Sequence, residues 1–426
     1  MRENRSLRRA LALTLASAFL WGVAHIWAGR TRTGLALAGV YLLVVSAVVT
    51  VVTNAWSHLP SLLLQRLDAA AVAGVVVAVV WAAVIVWSWL VVAPRRVRLG
   101  LPLIAVAGLC ALVVAPLGYA SRVAYVSNEV VSSVFVADDP ADQGTQVVTP
   151  VAADPWAGRQ RLNILLVGAD AAPDRPGART DSMTVASVDT RTGESILFSL
   201  PRNLQNVPLD DFPSASLLNE VFQWGEDHGD SGADLLKSTI GDILGLHVDY
   251  YAMVDMRGFA QIINAMGGVT LTVKNDIVFG AYREGLIKAG TQHMNGTEAL
   301  WFGRSRTDSD DYQRMGRQKC LLNAVAEQAD PLKVLSGFER IADVTKRYVS
   351  TDIPRSLLPG LIDLAPKVKD ADITSLQFVP PLIRTGSPDW DLIRAKVHDE
   401  LSPRPVAATA KPKAAKKAID LDESCA

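Results

Sequence analysis

Net charge is nearly absent from this chain. Its 42 Lys and Arg residues face 43 Asp and Glu, a formal net charge of −1 over 426 residues. Bulk electrostatics therefore give no case for a nucleic-acid binder, and any charge-based function has to rest on local clusters. Cysteine is scarce as well, with three residues. Cys110 lies in an apolar run, which leaves Cys320 and Cys425 as a candidate disulfide pair in an oxidising compartment, or as two thiols that never meet. Histidine is rare, and none stands between His58 and His228. That removes meaning from "HGDSG" at 228–232, which echoes a serine-protease nucleophile region but has no upstream histidine to serve it. There are no internal repeats.

Apolar residues, by contrast, are in excess: 50% of the chain, with a mean hydropathy of +0.21. The excess sits in the first quarter, in four runs at about 10–29, 35–53, 69–93 and 99–123. Each is about long enough to cross a hydrocarbon core of roughly 30 Å. Core helices of soluble proteins rarely run as uniformly apolar as "AAAVAGVVVAVVWAAVIVWSWLVVA", and further runs after the first argue against a cleaved signal. Residues 1–124 thus read as an α-helical membrane region. Basic clusters at Arg2, Arg5, Arg8 and Arg9, at Arg30 and Arg32, and at Arg95, Arg96 and Arg98 set the orientation by the positive-inside rule. If all three are cytoplasmic, the first run is re-entrant or interfacial and three spans follow. A fourth full span with an outside amino terminus is the alternative. Either way the chain after residue 125 lies outside the cytoplasm.

Residues 125–160, rich in Pro, Asp and small polar residues, read as a stalk. From 161 to 398 the pattern alternates. "LNILLVGA", "MTVASVDT", "ESILFSL", "DYYAMVDM", "VTLTV" and "ITSLQFV" read as strands. "SASLLNEVFQWG", stopping at Gly225, "GADLLKSTIGDILG", stopping at Gly245, "RGFAQIINAMGG", "NGTEALWFGR" capped by Asn295, and "YQRMGRQKCLLNAVAEQ" read as helices. Such alternation predicts an α/β domain with a central mixed sheet flanked by helices. Residues 399–426 form a low-complexity, Lys-bearing tail.

Two clusters carry chemistry. "FGRSRTDSDDYQRMGRQK" gathers Arg304, Arg306, Arg314 and Arg317 around Asp308, Asp310 and Asp311. Arg304 and Arg306 share a side if the backbone there is extended. Arg314, Arg317 and Gln318 share a helix face, and Asp311, just before that helix, caps it or orients an arginine. Paired guanidinium forks match phosphate oxygens, so convergence on a diphosphate is one reading of this cluster and a solvated, salt-bridged turn the other. A calcium loop lacks its glycine and closing glutamate. The second cluster, "VGADAAPDRPGARTDSMTVASVD" with "SLPRN", puts Asp170 at a strand end, Arg179 and Asp181 just before the next strand, and Arg202 just after a third. Asp170 and Asp181 are candidates to share Mg²⁺ with substrate phosphates.

In order, "NILLVGAD", "ARTDSMTVASVD", "SLPRN", "LLNEVFQWG", "GLHVDYYAMVDMRGFAQIINAMGGVTLTV", "MNGTEALWFGRSR" and "SDDYQRMGRQ" resemble the LytR–CpsA–Psr family of envelope glycopolymer transferases over about residues 160–395. The resemblance implies an extracytoplasmic domain of a multi-pass cell-membrane protein. It implies transfer of a polyprenyl-pyrophosphate-linked glycopolymer to a peptidoglycan hydroxyl, leaving a phosphodiester. By motif, Asp170 and Asp181 correspond to acids of the family's Mg²⁺ and pyrophosphate site. Arg179, Arg202, Arg304, Arg306, Arg314, Arg317 and Gln318 correspond to its head-group contacts. Asp181, Arg179, Arg202, Arg304 and Arg306 are the expected catalytic set. Val221, Phe222, Ile262 and Ile263 are candidates to line a pocket for the polyprenyl chain. Two departures stand out: Asn203 where the family has an acid, and Leu217 where it has a lysine. The resemblance also leaves a second reading, a non-catalytic, polyprenyl-phosphate-binding membrane regulator. Nothing in the motifs names the glycopolymer.

Overall fold

A computed structural model describes residues 2–55, 66–94, 100–136, 154–171, 178–280, 282–307, 309–328, 338–402 and 419–420. The chain divides into two compact units, Met1–Glu129 and Val130–Ala426.

The first unit is helical: α1 (Arg2–Phe19), α2 (Val23–Trp27), α3 (Thr31–Ala55), α4 (Leu67–Val92) and most of α5 (Leu101–Val134). The run at 10–29 is not one helix. Gly22 breaks it at φ 93°, a conformation that costs glycine least. A Cβ there would sit 2.1 Å from the Gly34 carbonyl oxygen, so the break doubles as a close approach of α2 to α3. Three described helices are long and apolar enough to cross a membrane: Thr31–Thr50, Leu67–Val92 and Leu101–Val134. α1 packs on α4 through Ala10, Ala18, Ile85 and Trp89, and the Trp81 indole donates to the Ala18 carbonyl at 2.8 Å.

The expected stalk is only partly irregular. α5 runs on to Val134, and Val136 bridges to Pro354, both inside the second unit. Residues 137–153 of it lie outside the described residues.

The second unit is a mixed sheet clad by helices on both faces, as the alternation predicts. Its strands are β1 (Arg161–Ala171), β2 (Ala178–Asp189), β3 (Ser195–Leu200), then, after α6 (Val221–Asp227) and α7 (Gly232–Leu244), β4 (Tyr250–Asp255). α8 (Met256–Ala265) leads to a small lobe of two hairpin-like pairs, β5 (Val269–Val273) with β8 (Gly290–Met294) and β6 (Ile277–Phe279) with β7 (Gly285–Ile287). α9 (Gly296–Arg304), α10 (Asp311–Gln328), α11 (Phe338–Tyr348), β9 (Val349–Thr351), α12 (Leu358–Asp370), β10 (Ile373–Gln377), α13 (Trp390–Leu401) and β11 (Ile419–Asp420) complete it. The strand order is β11-β10-β3-β2-β1-β4-β9. β1 pairs antiparallel with β2 and parallel with β4. The tail thus returns two residues to the sheet edge beside β10; its remainder from 403 lies outside the described residues.

Period-two alternation gives the sheet two different faces. Leu165, Val167, Met183, Val185, Phe198 and Leu200 point to one, where Leu236, Ile240, Ile243, Ile393 and Val397 close a dry core. The other face carries Leu166, Gly168, Ser182, Thr184, Leu197, Ser199, Ala252 and Val254, mostly smaller or polar side chains. Covering helices cannot close down on so low a surface, and a cavity remains.

The helix read from "SASLLNEVFQWG" is shorter than expected. A 3₁₀ turn, Leu218–Glu220, precedes α6, which passes through Gly225 to Asp227. α7 does end at Gly245, and Asn295 caps α9 by accepting from the amides of Thr297 and Glu298.

Candidate functional site

The cavity, about 250 Å³, lies between the small-residue face of the sheet and helices α8, α9 and α10. Met256 and Phe259 of α8, Ala299, Leu300 and Gly303 of α9, and Met315, Leu321 and Leu322 of α10 form its apolar wall. Asp181, Arg304 and Gln318 are part of the same lining. An apolar slot with convergent polar groups is the usual form of a small-molecule site.

Asp181 gets there through a β-bulge. Gly168 pairs with Ser182 and Ala169 with Thr180, so Asp181 is the extra residue, turned out of the ladder. Arg179 and Asp181 accordingly sit inside β2, not ahead of it. Gly168 is held to this arrangement, because its amide donates to the Ser182 hydroxyl at 3.1 Å and a Cβ would meet that oxygen at 2.5 Å.

Arg202, in the turn after β3, joins two acids. Its Nη1 donates to Asp181 Oδ1 and its Nε lies 3.3 Å from Asp311 Oδ1. Asp311 in turn accepts from Arg314 Nε and Nη2 at 3.0 and 3.1 Å. Burial alone would raise the Asp311 pKa. Hydrogen bonds from Arg314 and the charges of Arg314, Arg202 and Arg306 outweigh burial and hold it below the ordinary carboxylate value. The relay Asp181–Arg202–Asp311–Arg314 ties three distant segments, with Arg314 only 3% exposed. On the next strand, Asp170 Oδ2 lies 3.2 Å from Arg304 Nη2. The Arg304 guanidinium also sits 5.5 Å from the Trp301 ring centroid, a cation–π distance.

Each expected site residue can now be placed. Asp170, Asp181, Arg202, Arg304 and Arg314 converge, and Gln318 lines the cavity. Arg306 is exposed at the rim, close enough for its charge to act on Asp311. Arg179 is exposed on β2, opposite Asp170. Arg304 is the last residue of α9 and Ser305 its C-cap, so the two arginines do not share one extended stretch. Asp311 is helical, and the capping role falls to Asp310, which accepts from the Gln313 amide at 2.7 Å. Arg317 is engaged at a helix end. Its guanidinium donates to the carbonyls of Phe302, at 2.8 Å, and Ser305, closing the C-terminus of α9 and so placing Arg304.

The candidate lipid-pocket residues are corrected. Val221 and Phe222 pack in the core on the opposite sheet face, and Ile263 belongs to the separate core of the small lobe. With Ile262 they are absent from the cavity lining. Hydrophobic periodicity finds well-packed helices, whereas this cavity exists where side chains are small. Cys320 is disulfide-bonded; Cys425, like Asp308, lies outside the described residues. Of the two roles read for Asp311, the structure shows the orienting of an arginine, Arg314; Lys319 as cavity wall was not singled out by sequence reasoning. Lys319 follows Met315 at i+4 and precedes Leu322 by three, a helix-face spacing that would have flagged it.

The donor set fits Mg²⁺. Two carboxylates on adjacent strands are a typical protein share of a site completed by phosphate oxygens and water. Beside Arg202, the buried amide oxygens of Asn203 and Asn219 find no partner among the described residues.

The sequence profile of the LytR_cpsA_psr family matches residues 127–382. A polyisoprenyl-teichoic acid–peptidoglycan teichoic acid transferase TagU from Oceanobacillus iheyensis is 29% identical over 209 residues, 48% of this chain and 62% of that protein. Biofilm regulatory protein A from Streptococcus mutans is 26% identical over 268 residues, 60% of this chain and 64% of that one. The chain therefore spans less than two thirds of the length of these relatives. Among solved structures, Bacillus subtilis TagV is 26% identical with a TM-score of 0.44, covering 58% of this chain and 99% of that one. TagT bound to LIIa-WTA is 22% identical with a TM-score of 0.46, covering 62% and 99%.

Proposed function

The chain belongs to the LytR–CpsA–Psr family, and from that premise we propose that it transfers a polyprenyl-pyrophosphate-linked glycopolymer to a peptidoglycan hydroxyl at the outer membrane face. The observation that carries this reading is the cavity itself, an apolar slot whose lining includes Asp181 and Arg304, with the Arg202–Asp311–Arg314 relay bonded to the same Asp181. A polyprenyl chain suits the slot, and a diphosphate suits the forks.

Phosphoryl transfer is chiefly a matter of position and charge. Arg202, Arg304 and Arg306 hold the diphosphate oxygens and neutralise charge as it builds on the bridging oxygen. Arg314, buried and locked to Asp311, keeps Arg202 in register. Asp170 and Asp181 would hold Mg²⁺, which supplies further charge neutralisation at the diphosphate. The acceptor hydroxyl attacks the phosphorus next to the sugar and loses its proton to a nearby carboxylate, Asp181 or Asp170. Polyprenyl phosphate leaves along the apolar slot. The arginine clusters flanking the membrane helices support a domain outside the cytoplasm, by the positive-inside rule.

Purified full-length protein, a labelled lipid-linked donor and peptidoglycan test the proposal. Product that requires Mg²⁺ and disappears in R304A is expected. Tight lipid binding without product under any condition would instead support a non-catalytic regulator, a reading favoured by Asn203 standing where the family has an acid.

A further inference from the structure

Lys319 lies in the cavity wall and is 8% exposed. It makes no hydrogen bond or ion pair among the described residues. Among the described residues the cavity's only carboxylate, Asp181, is already bonded to Arg202. Burial is the sole cause acting on the Lys319 ammonium, and it lowers the pKa. A cation held in a largely apolar slot without a counter-charge is a standing cost to the empty protein.

The sheet side of the slot adds hydroxyls. Ser182 accepts from the Gly168 amide, which leaves its hydrogen to donate. Thr184 and Ser199 share one hydrogen bond at 3.0 Å, so one hydroxyl hydrogen of that pair is also spare. A cation and two spare donors thus face a space otherwise walled mainly by aliphatic and aromatic carbon. Their common complement is an anionic oxygen. A free phosphate ion would lose hydration to apolar walls on most sides, whereas a phosphate carried on an apolar chain brings its own CH₂ groups to those walls.

Resting on the reading of this slot as the lipid seat, we propose that Lys319, with the hydroxyls of Ser182 and the Thr184–Ser199 pair, forms an anion-binding position inside the cavity for a phosphate monoester borne on an apolar chain. It uses side chains other than those of the arginine relay, and it gives the slot a preference for a charged lipid over the corresponding alcohol.

Binding of farnesyl phosphate and of farnesol to the full-length protein in detergent tests this, using the wild type, K319M and K319R. Methionine fills a similar volume without charge, so K319M should fold and melt no lower than the wild type. The preference for farnesyl phosphate should fall by about tenfold in K319M, the size of one charge-assisted hydrogen bond, with farnesol affinity little changed, and K319R should restore it. Should K319M not fold, K319Q carries the same expectation. An undiminished preference in the neutral variant overturns the inference and leaves the proposed function standing. Failure of the wild type to bind either amphiphile overturns both. Inorganic phosphate displacing farnesyl phosphate at comparable concentration would overturn the chain-borne half of the proposal.

Discussion

Asp311 is the residue on which the charge relay turns, and D311N isolates its contribution. The substitution keeps shape but removes the charge facing Arg314, whose side chain is 4% exposed, while Asp311 itself is 16% exposed. Two hydrogen bonds to Arg314 and one ion pair to Arg202 lose their charged acceptor. Orphaning a buried guanidinium costs about 3 kcal/mol or more, and in a domain of this size that corresponds to a fall in Tm of roughly 6–12 °C. Thermal unfolding of the full-length protein in detergent measures it. The cycle is completed by D311N/R314M, which removes the orphan and should regain much of the loss. The pH dependence has a definite sign. Asp311 has a folded pKa below its unfolded value, so its stabilisation is fully present above the ordinary carboxylate value of about 3.9 and is lost as pH falls through the folded pKa. The gap between wild type and D311N should therefore close in acid. If D311N melts with the wild type at neutral pH, or if the double variant is worse than the two single losses added, the buried relay does not exist as described.

Three further outcomes follow from the same geometry. R317M should lower transfer about tenfold or more by releasing the end of α9 and misplacing Arg304. R317K should rescue poorly, since one ammonium cannot reproduce a planar fork across two carbonyls, and the donor dependence of the rate reads this. A252L, on the small-residue face of the sheet, should fill the slot and abolish lipid co-purification, with circular dichroism unchanged; mass spectrometry of the extracted protein decides. Cys320 should resist alkylation in denaturant until a reductant is added, whereas Cys110 should label without it, as peptide masses would report.

The fold was legible because strand and helix periods are written in side chains that pack. "NILLVGAD" and "MTVASVD" alternate, and the structure places Leu165, Val167, Met183 and Val185 in the dry core. In the small lobe "VTLTV" was legible as β5, but the rest escaped for the opposite reason. β6 and β7 are three residues each, too short for a period to register. The re-entry of Ile419 and Asp420 beside β10 left no mark either, because a two-residue edge strand owes its existence to a partner rather than to its own composition. The first apolar run likewise hid a break, since Gly22 matters for its φ and for the nearness of Gly34.

Site residues were legible where chemistry is rare and illegible where packing decides. Arginines and aspartates at strand ends mark themselves, and Asp170, Asp181, Arg202 and Arg304 do meet. What a guanidinium does once there depends on which acceptor lies nearest. Arg314 and Arg317 stand three residues apart on one helix, yet one finds Asp311 and the other finds the carbonyls that end α9. The lipid slot shows the deeper limit. Searching for large apolar residues leads to Val221 and Ile263, which are buried because they already have neighbours. A cavity is made by what is missing, and its signature is the row of small residues, Gly168, Ser182, Thr184, Ser199 and Ala252, at alternate positions on four adjoining strands. That row acquires meaning only once pairing register brings the strands side by side. If enlarging any one of these residues left lipid uptake intact, the space would have to be made by helix movement instead of by the low face of the sheet.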